Sequence, residues 1–347
     1  MNLHRGKDIV GEADVLVIYG DRLIILQAKA KKLTIAARKG NDNQLKADFA
    51  AAIQDSYDQG WTCANELLAG GCRLVDDNKK EVVLPPSIKE VFLFSLVSEH
   101  YPALAFQANQ SLKFQTTDVI RPPFVMDVFL LDTLTEMLAT PLRLLGYVKL
   151  RVAASDKLMS GHELTVLGYH LKQNLWLDEK HDLVMLEDSI ARDLDTAMMV
   201  RRDNQPGDDT PVGILTKMRG TRYENLIKEI EARADPATLE LGFHLLSMDE
   251  DSCRNVAYSK SSRRRRRSMV SDTTLRLHRA HPLAGSASIA IRRHLQKRLL
   301  CWRPTALNGS TSNVLHSGLE SLLARLGKSS LVSRWIFHGK LLKKWSS

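Results

Sequence analysis

Four polar residues bracket two short apolar runs near the start of the chain. Val15–Tyr19 reads Val-Leu-Val-Ile-Tyr and Leu23–Leu26 reads Leu-Ile-Ile-Leu, with Gly20-Asp21 between them. Glu12 and Asp14 precede the first run; Gln27 and Lys29 follow the second. Gly at the first central position suits a two-residue II′ hairpin turn. With Tyr19 opposite Arg22, cross-strand partners satisfy i + j = 41, so Asp14 faces Gln27 and Glu12 faces Lys29. Opposite residues project to one face, and so do alternate residues along a strand. All four therefore gather as one polar cluster beyond the apolar middle, and a one-residue change of loop length would scatter them.

Hard cations such as Mg²⁺ take oxygen ligands, commonly one or two carboxylates plus water. Asp14 and Glu12 offer carboxylates and Gln27 a carbonyl oxygen. Lys29 can orient or help deprotonate a metal-bound water and neutralise charge on a phosphate. The set suits metal-assisted phosphodiester hydrolysis. The same four residues also describe a hairpin with solvated ends and a Glu12–Lys29 surface ion pair, and spacing alone leaves both readings open.

The elements that must position these residues follow from patterning. Near-continuous hydrophobicity on both hairpin strands implies cover on both faces. A basic stretch follows, with Lys31, Lys32, Arg38 and Lys39. From Asn43 to Leu68, apolar and small residues recur at three- and four-residue spacing (Leu45, Phe49, Ala52, Ile53, Ser56, Tyr57), predicting a helix ended by Gly70-Gly71. Glu81–Leu84, Glu90–Val97 and Phe124–Phe129 are strand candidates, the first two divided by Pro85-Pro86. Leu130–Val200 reads as helical, with stripes at Leu134, Leu138, Leu142 and at Leu164, Leu167, Leu171, Leu175. Residues 203–212 read as a loop, Arg222–Arg233 as a helix and Leu239–Leu246 as a last strand. This pattern predicts an α/β fold, a mixed central β-sheet flanked by helices. We divide it into a core over 1–130, a mainly helical extension packing on it over 131–260, and a basic tail of low order over 261–347.

The segment Gly11-Glu12-Ala13-Asp14-Val15 with Leu26-Gln27-Ala28-Lys29 resembles the PD-(D/E)XK nuclease superfamily. More narrowly, it is similar to the branch with Gln-x-Lys in the third motif, as in Mrr-type restriction endonucleases, and to the nuclease-related NERD domains. The resemblance covers about the first 150 residues, with its sharp part between Glu12 and Lys29. It implies a restriction-endonuclease-like fold and a Mg²⁺- or Mn²⁺-dependent nuclease acting on DNA. It also implies Asp14 as principal metal ligand, Gln27 as secondary ligand and Lys29 as catalytic lysine. The helix that usually precedes this hairpin has no room in the 13 residues before Asp14, so the resemblance implies an N-terminally shortened member or one in which Glu12 takes that helix's place. Gln27 is neutral where most of the superfamily has an acid. That departure, with the shortening, favours the alternative: a catalytically inactive, nuclease-like module that binds nucleic acid or protein. Gln54 and Tyr57 on the following helix are similar to the Gln/Tyr pair of RecB-type nucleases, three residues apart rather than four; they also read as one face of a helix packing Ile53 and Tyr57 on the sheet. Gln54, Lys31, Lys32, Arg38 and Lys39 are the candidate nucleic-acid contacts.

Other chemistries lack their motifs. His162-Glu163 with His170 does not have the spacing of HExxH, Gly327-Lys328-Ser329 has Leu322 where a P-loop needs Gly, and neither G-x-S-x-G nor G-x-G-x-x-G occurs. Cys63, Cys72, Cys253 and Cys301 form no CxxC pair and read as reduced cytoplasmic thiols. No apolar run approaches the length of a bilayer span, and the N-terminus lacks the apolar core of a secretory signal. A cytoplasmic protein with no membrane partner is expected, with monomer and dimer both open.

The 347 residues carry a net charge of +9, distributed unevenly. Residues 261–347 hold 18 Lys and Arg against Asp272 and Glu320; residues 1–260 hold 31 against 38 acids. Arg263–Arg267 and the basic segment Arg292–Arg298 suit a phosphate-binding arm or a localisation-like tract. The abrupt loss of acids and of hydrophobic periodicity past Lys260, with Ser and Arg enriched, favours a third reading over both: sequence that specifies no fold, such as an out-of-frame extension.

Overall fold

The computed structural model describes residues 1–30, 33–76, 78–97, 111–177, 180–233, 235–259 and 338–339. Lys31, Lys32 and nearly all of the basic tail, including both of its arginine-rich segments, lie outside the described residues. The chain divides into two compact units: Met1–Leu144 with Met159–Thr165 and Thr311–Ser347, and Leu145–Leu158 with Val166–Ser310.

The first unit opens with a hairpin that the sequence pattern does not announce. Strands β1 (Asn2–Arg5) and β2 (Asp8–Glu12) pair antiparallel around Gly6, whose φ of 65° lies in the left-handed region that favours glycine. With β5 (Arg73–Val75) they form a three-stranded sheet, order β2-β1-β5. The main sheet is mixed. Strand β3 (Val15–Tyr19) pairs antiparallel with β4 (Arg22–Lys29). Strand β4 pairs parallel with β6 (Glu90–Val97), and β6 pairs parallel with β7 (Phe124–Asp127). The two-residue β10 (His338–Gly339) borders β3, giving the order β10-β3-β4-β6-β7.

The β3–β4 register is Val15↔Leu26 through Tyr19↔Arg22, as the turn chemistry predicts. Gly20 has a φ of 60° and Asp21 does not share that sign, the II′ pattern. The connection from β4 to its parallel neighbour β6 carries α1 (Ile35–Arg38) and one long helical run. That run is α2 (Asp42–Phe49), a single π-helical turn at Ala50–Gln54, and α3 (Asp55–Ala69). Its buried stripe of Phe49, Ala52, Ile53, Tyr57, Cys63, Ala64 and Leu67 packs against Leu16, Leu23, Ile25 and Leu93 of the sheet. Along β4, one face is therefore apolar at its start and polar at its end, where Gln27 and Lys29 follow Leu23 and Ile25.

Three strand expectations are corrected. Phe124–Phe129 is strand only to Asp127. That carboxylate accepts the Leu130 amide at 2.8 Å and caps α4 (Val128–Met137). Glu81–Leu84 supplies only a single bridge, Glu81 to Val75. Leu239–Leu246 is helical, the body of a helix over Pro236–Leu246 in the second unit: Asp235 is its N-cap residue and Pro236 its first residue, a start signal that outweighs the apolar run. The Leu130–Val200 region comprises α4, α5 (Pro141–Ala153), α6 (Glu163–Gln173) and α7 (Arg192–Asp203). The short strands β8 (Leu158–Met159) and β9 (Val184–Met185) pair with each other.

The second unit is mainly helical and continues through α8 (Ile214–Lys217), α9 (Arg222–Arg233), α10 (Pro236–Leu246) and α11 (Glu250–Tyr258). The Tyr223 hydroxyl donates to the Leu245 carbonyl at 2.8 Å, tying α9 to α10. Among the described residues no helix is long and apolar enough to cross a membrane.

Candidate functional site

The chain changes sheets between Glu12 and Val15, and this shapes the site. Ala13 does not extend the β3–β4 ladder. Its amide donates to the Met1 carbonyl at 3.0 Å, and its carbonyl accepts the Met1 ammonium at 2.7 Å. Asp14, only 5% exposed, stands one residue before β3 and fills the place of a ladder partner with its side chain. Its Oδ2 accepts the Ala28 amide at 2.9 Å, between Gln27 and Lys29. The ladder ends at Val15↔Leu26, so Asp14 is tied to the Gln-x-Lys segment by this side-chain bond and not by the i + j = 41 pairing.

Glu12 departs from expectation. It is the last residue of β2 and pairs with Asn2, not with Lys29, because β1 takes the ladder position that a longer β3–β4 hairpin would use. Its side chain is exposed. Its backbone stays in the cluster: Gln27 Nε2 donates to the Glu12 carbonyl at 2.5 Å. Its charge reaches the buried Cys63 thiol, whose pKa burial pushes up to about 12, with Glu12 adding to the rise and the N-terminal ammonium opposing it.

Helix α3 completes the site. Ser56 Oγ donates to the Gln27 carbonyl at 3.2 Å, and Lys29 Nζ donates to Gln59 Oε1 at 2.7 Å. Gly60 lies over Gln27: a Cβ there would sit 3.7 Å from Gln27 Cγ, an ordinary van der Waals distance, so this face of α3 packs on the Gln27 side chain. Sequence spacing does not single out Gln59.

The remaining candidates scatter. Arg38 and Lys39 are exposed at the end of α1, and Arg38 Nε donates to the Leu33 carbonyl at 3.2 Å. Gln54 is committed to the chain itself. Its Oε1 accepts the Lys113 amide at 3.0 Å, and its Nε2 donates to the Lys113 carbonyl at 2.9 Å and to Asp58 at 3.0 Å. Tyr57 does the same to Gln115, two residues beyond Lys113: its hydroxyl accepts the Gln115 amide at 2.8 Å and donates to the Gln115 carbonyl at 3.1 Å. The Gln/Tyr pair therefore clasps an extended segment of backbone.

Among the described residues no group of three or more His, Cys, Asp or Glu is placed to hold a metal ion. Asp14 and Gln27 make a leaner donor set. Asp14 Oδ1 and Gln27 Oε1 accept no hydrogen bond among the described residues, so each keeps a free oxygen. One carboxylate and one amide oxygen fit a cation that keeps most of its waters, as Mg²⁺ does. The chain matches no protein-family model, no curated protein and no solved structure.

Proposed function

We propose that the chain is a metal-dependent nuclease with a restriction-endonuclease-like core that hydrolyses DNA phosphodiester bonds. The observation that carries this reading is the Asp14–Ala28 hydrogen bond, which fixes a carboxylate against the Gln-x-Lys segment. Asp14 and Gln27 are the residues that would hold Mg²⁺ or Mn²⁺, with Glu12 adding negative charge nearby. Bound there, the ion would polarise the scissile phosphate and acidify water. Lys29 brings a positive charge to the same strand end, where it orients the attacking water and offsets charge on the phosphate. Gln59 holds the Lys29 ammonium, and exposed Arg38 and Lys39 attract the DNA backbone. Asp14→Ala and Lys29→Ala should each abolish Mg²⁺-dependent cleavage of plasmid DNA while the circular dichroism spectrum stays unchanged. Wild-type cleavage by both variants would overturn the proposal.

A second reading, an inactive module that keeps the fold and binds nucleic acid or protein, draws on the neutral Gln27 and on the hydrogen bond its amide nitrogen donates to the Glu12 carbonyl. Calorimetric titration separates the two: no uptake of Mg²⁺ or Mn²⁺ at millimolar concentration favours the module.

A further inference from the structure

Strand β6 reads Glu-Val-Phe-Leu-Phe-Ser-Leu-Val, and all eight residues are buried. Glu90, its acid, is accounted for by Arg22 Nε at 3.3 Å and Arg121 Nε at 3.0 Å. Ser95 is not accounted for. It is 2% exposed, and among the described residues its hydroxyl makes no hydrogen bond. Its oxygen is not among the described side-chain atoms that are sealed from solvent without a hydrogen-bond partner, so it keeps some accessible surface.

Its register gives it a use. Ser95 is the parallel partner of Gln27, so the two side chains project from one face of the sheet. Leu93, two residues before Ser95, and Gln27 both lie 3.7 Å from the Cβ that Gly60 lacks, so this is the face under α3. Asp14 flanks Gln27 on the other side through its bond to Ala28. Gln27 and Ser95 thus stand on neighbouring strand positions with Asp14, one residue before β3, beside them, and the helix above carries small residues at Ser56 and Gly60.

We propose that Ser95 Oγ is a third oxygen donor, direct or through one water, for a hard divalent cation held by Asp14 and Gln27. This rests on the metal site of the nuclease reading. It gives a reason for the neutral Gln27: with a hydroxyl on the adjacent strand, the site gathers its oxygens without a second buried carboxylate and the repulsion that would bring.

The test is calorimetric titration of the full chain with Mn²⁺, Mg²⁺ and Cd²⁺ in separate runs, beside thermal melting in EDTA, for wild type, Asp14→Ala, Ser95→Ala and Ser95→Cys. Ser95→Ala should weaken Mn²⁺ binding about tenfold, the lower end of the range for losing a supporting group, and leave the metal-free melting temperature unchanged or higher. Ser95→Cys should lose Mg²⁺ as Ser95→Ala does, yet bind Cd²⁺ more tightly than Ser95→Ala, because sulfur prefers the softer ion. Wild-type affinity in Ser95→Ala, with binding lost in Asp14→Ala, overturns the role of Ser95 and leaves the nuclease reading standing. A metal-free Ser95→Ala protein that melts several degrees lower makes the hydroxyl structural and also overturns it. Absence of Mn²⁺ binding in wild type removes the parent reading and this inference together.

Discussion

Lys29 is a long, flexible cation at the end of a strand, and a lysine in that position is useful only if something holds its ammonium in place. Gln59 Oε1 does so at 2.7 Å from the adjoining helix. Under the proposed chemistry Gln59 is a positioning residue, since it acts through Lys29 rather than on the phosphate. Gln59→Leu should therefore lower kcat for cleavage about tenfold while KM moves less than twofold, and Gln59→Glu, which keeps an acceptor, should recover most of the rate. Both variants are checked by steady-state kinetics on a defined duplex; an equal fall in the Leu and Glu variants would make Gln59 incidental. The sequence makes Asp14, Gln27 and Lys29 legible because each lies within two residues of a short-turn hairpin strand. Gln59 is 30 residues from its partner and Ser95 is 68 from Gln27, and no local spacing relates either pair. Glu12 is misplaced by the same local logic: extrapolating the hairpin by three residues ignores the competing strand β1, which captures it.

At the scale of elements, α3 is pressed between two sheets, and Gly11 and Cys63 mark the tightest point. A Cβ on Gly11 would come within 3.3 Å of Cys63 Cα, so β2 and α3 meet backbone to backbone. Burial there pushes the Cys63 thiol up to about 12, and burial does the same to Cys253 on α11. The unfolded chain releases these protons near the ordinary thiol value, the native chain only near 12. Between those limits the native state binds more protons, so its stability is complete below pH 8 and declines as pH rises through 9 toward 12, by about 1.4 kcal/mol per pH unit for each thiol. Urea midpoints at pH 8 and pH 10.5 should show this decline, and Cys63→Ala should remove about half of the cysteine contribution; an identical slope in the variant would exclude Cys63 as its source. Element types are legible where pattern and punctuation agree, as in the helix Arg222–Arg233, which the structure reproduces residue for residue. They are not where an apolar run is short enough to suit either state. Leu-Glu-Leu-Gly-Phe-His-Leu-Leu is one such run, and only the preceding Asp235-Pro236 decides it for helix. The β1–β2 hairpin is hidden because Asn-Leu-His-Arg and Asp-Ile-Val-Gly-Glu lack clean alternation; its strands are held by the small sheet they build.

For the whole molecule, charge separates attraction from chemistry. The proposed cleavage site lies within residues 12–97, in a stretch of chain, 1–260, that carries more acids than bases, whereas the excess of positive charge lies in 261–347. A polyanion responds to that excess whether or not those residues build a fold, because affinity from phosphate neutralisation follows the number of counterions released. In the full chain with Arg263–Arg267 all replaced by Ala, the slope of log affinity against log salt for a non-cleaved duplex should become shallower by about 4.5 units, at roughly 0.9 for each of five phosphates no longer neutralised. Single-turnover cleavage at saturating DNA should stay within twofold of wild type, because none of Asp14, Gln27, Lys29 or Gln59 is altered. Fluorescence anisotropy across a salt series measures the first quantity and rapid-quench kinetics the second. A slope that does not move would show that the five arginines never meet phosphate and that duplex binding arises in the body, from cations such as Arg38 and Lys39. A collapse of the saturated rate would instead place the basic segment in the chemistry, against an assignment that gives cleavage to the end of one strand and the helix crossing it.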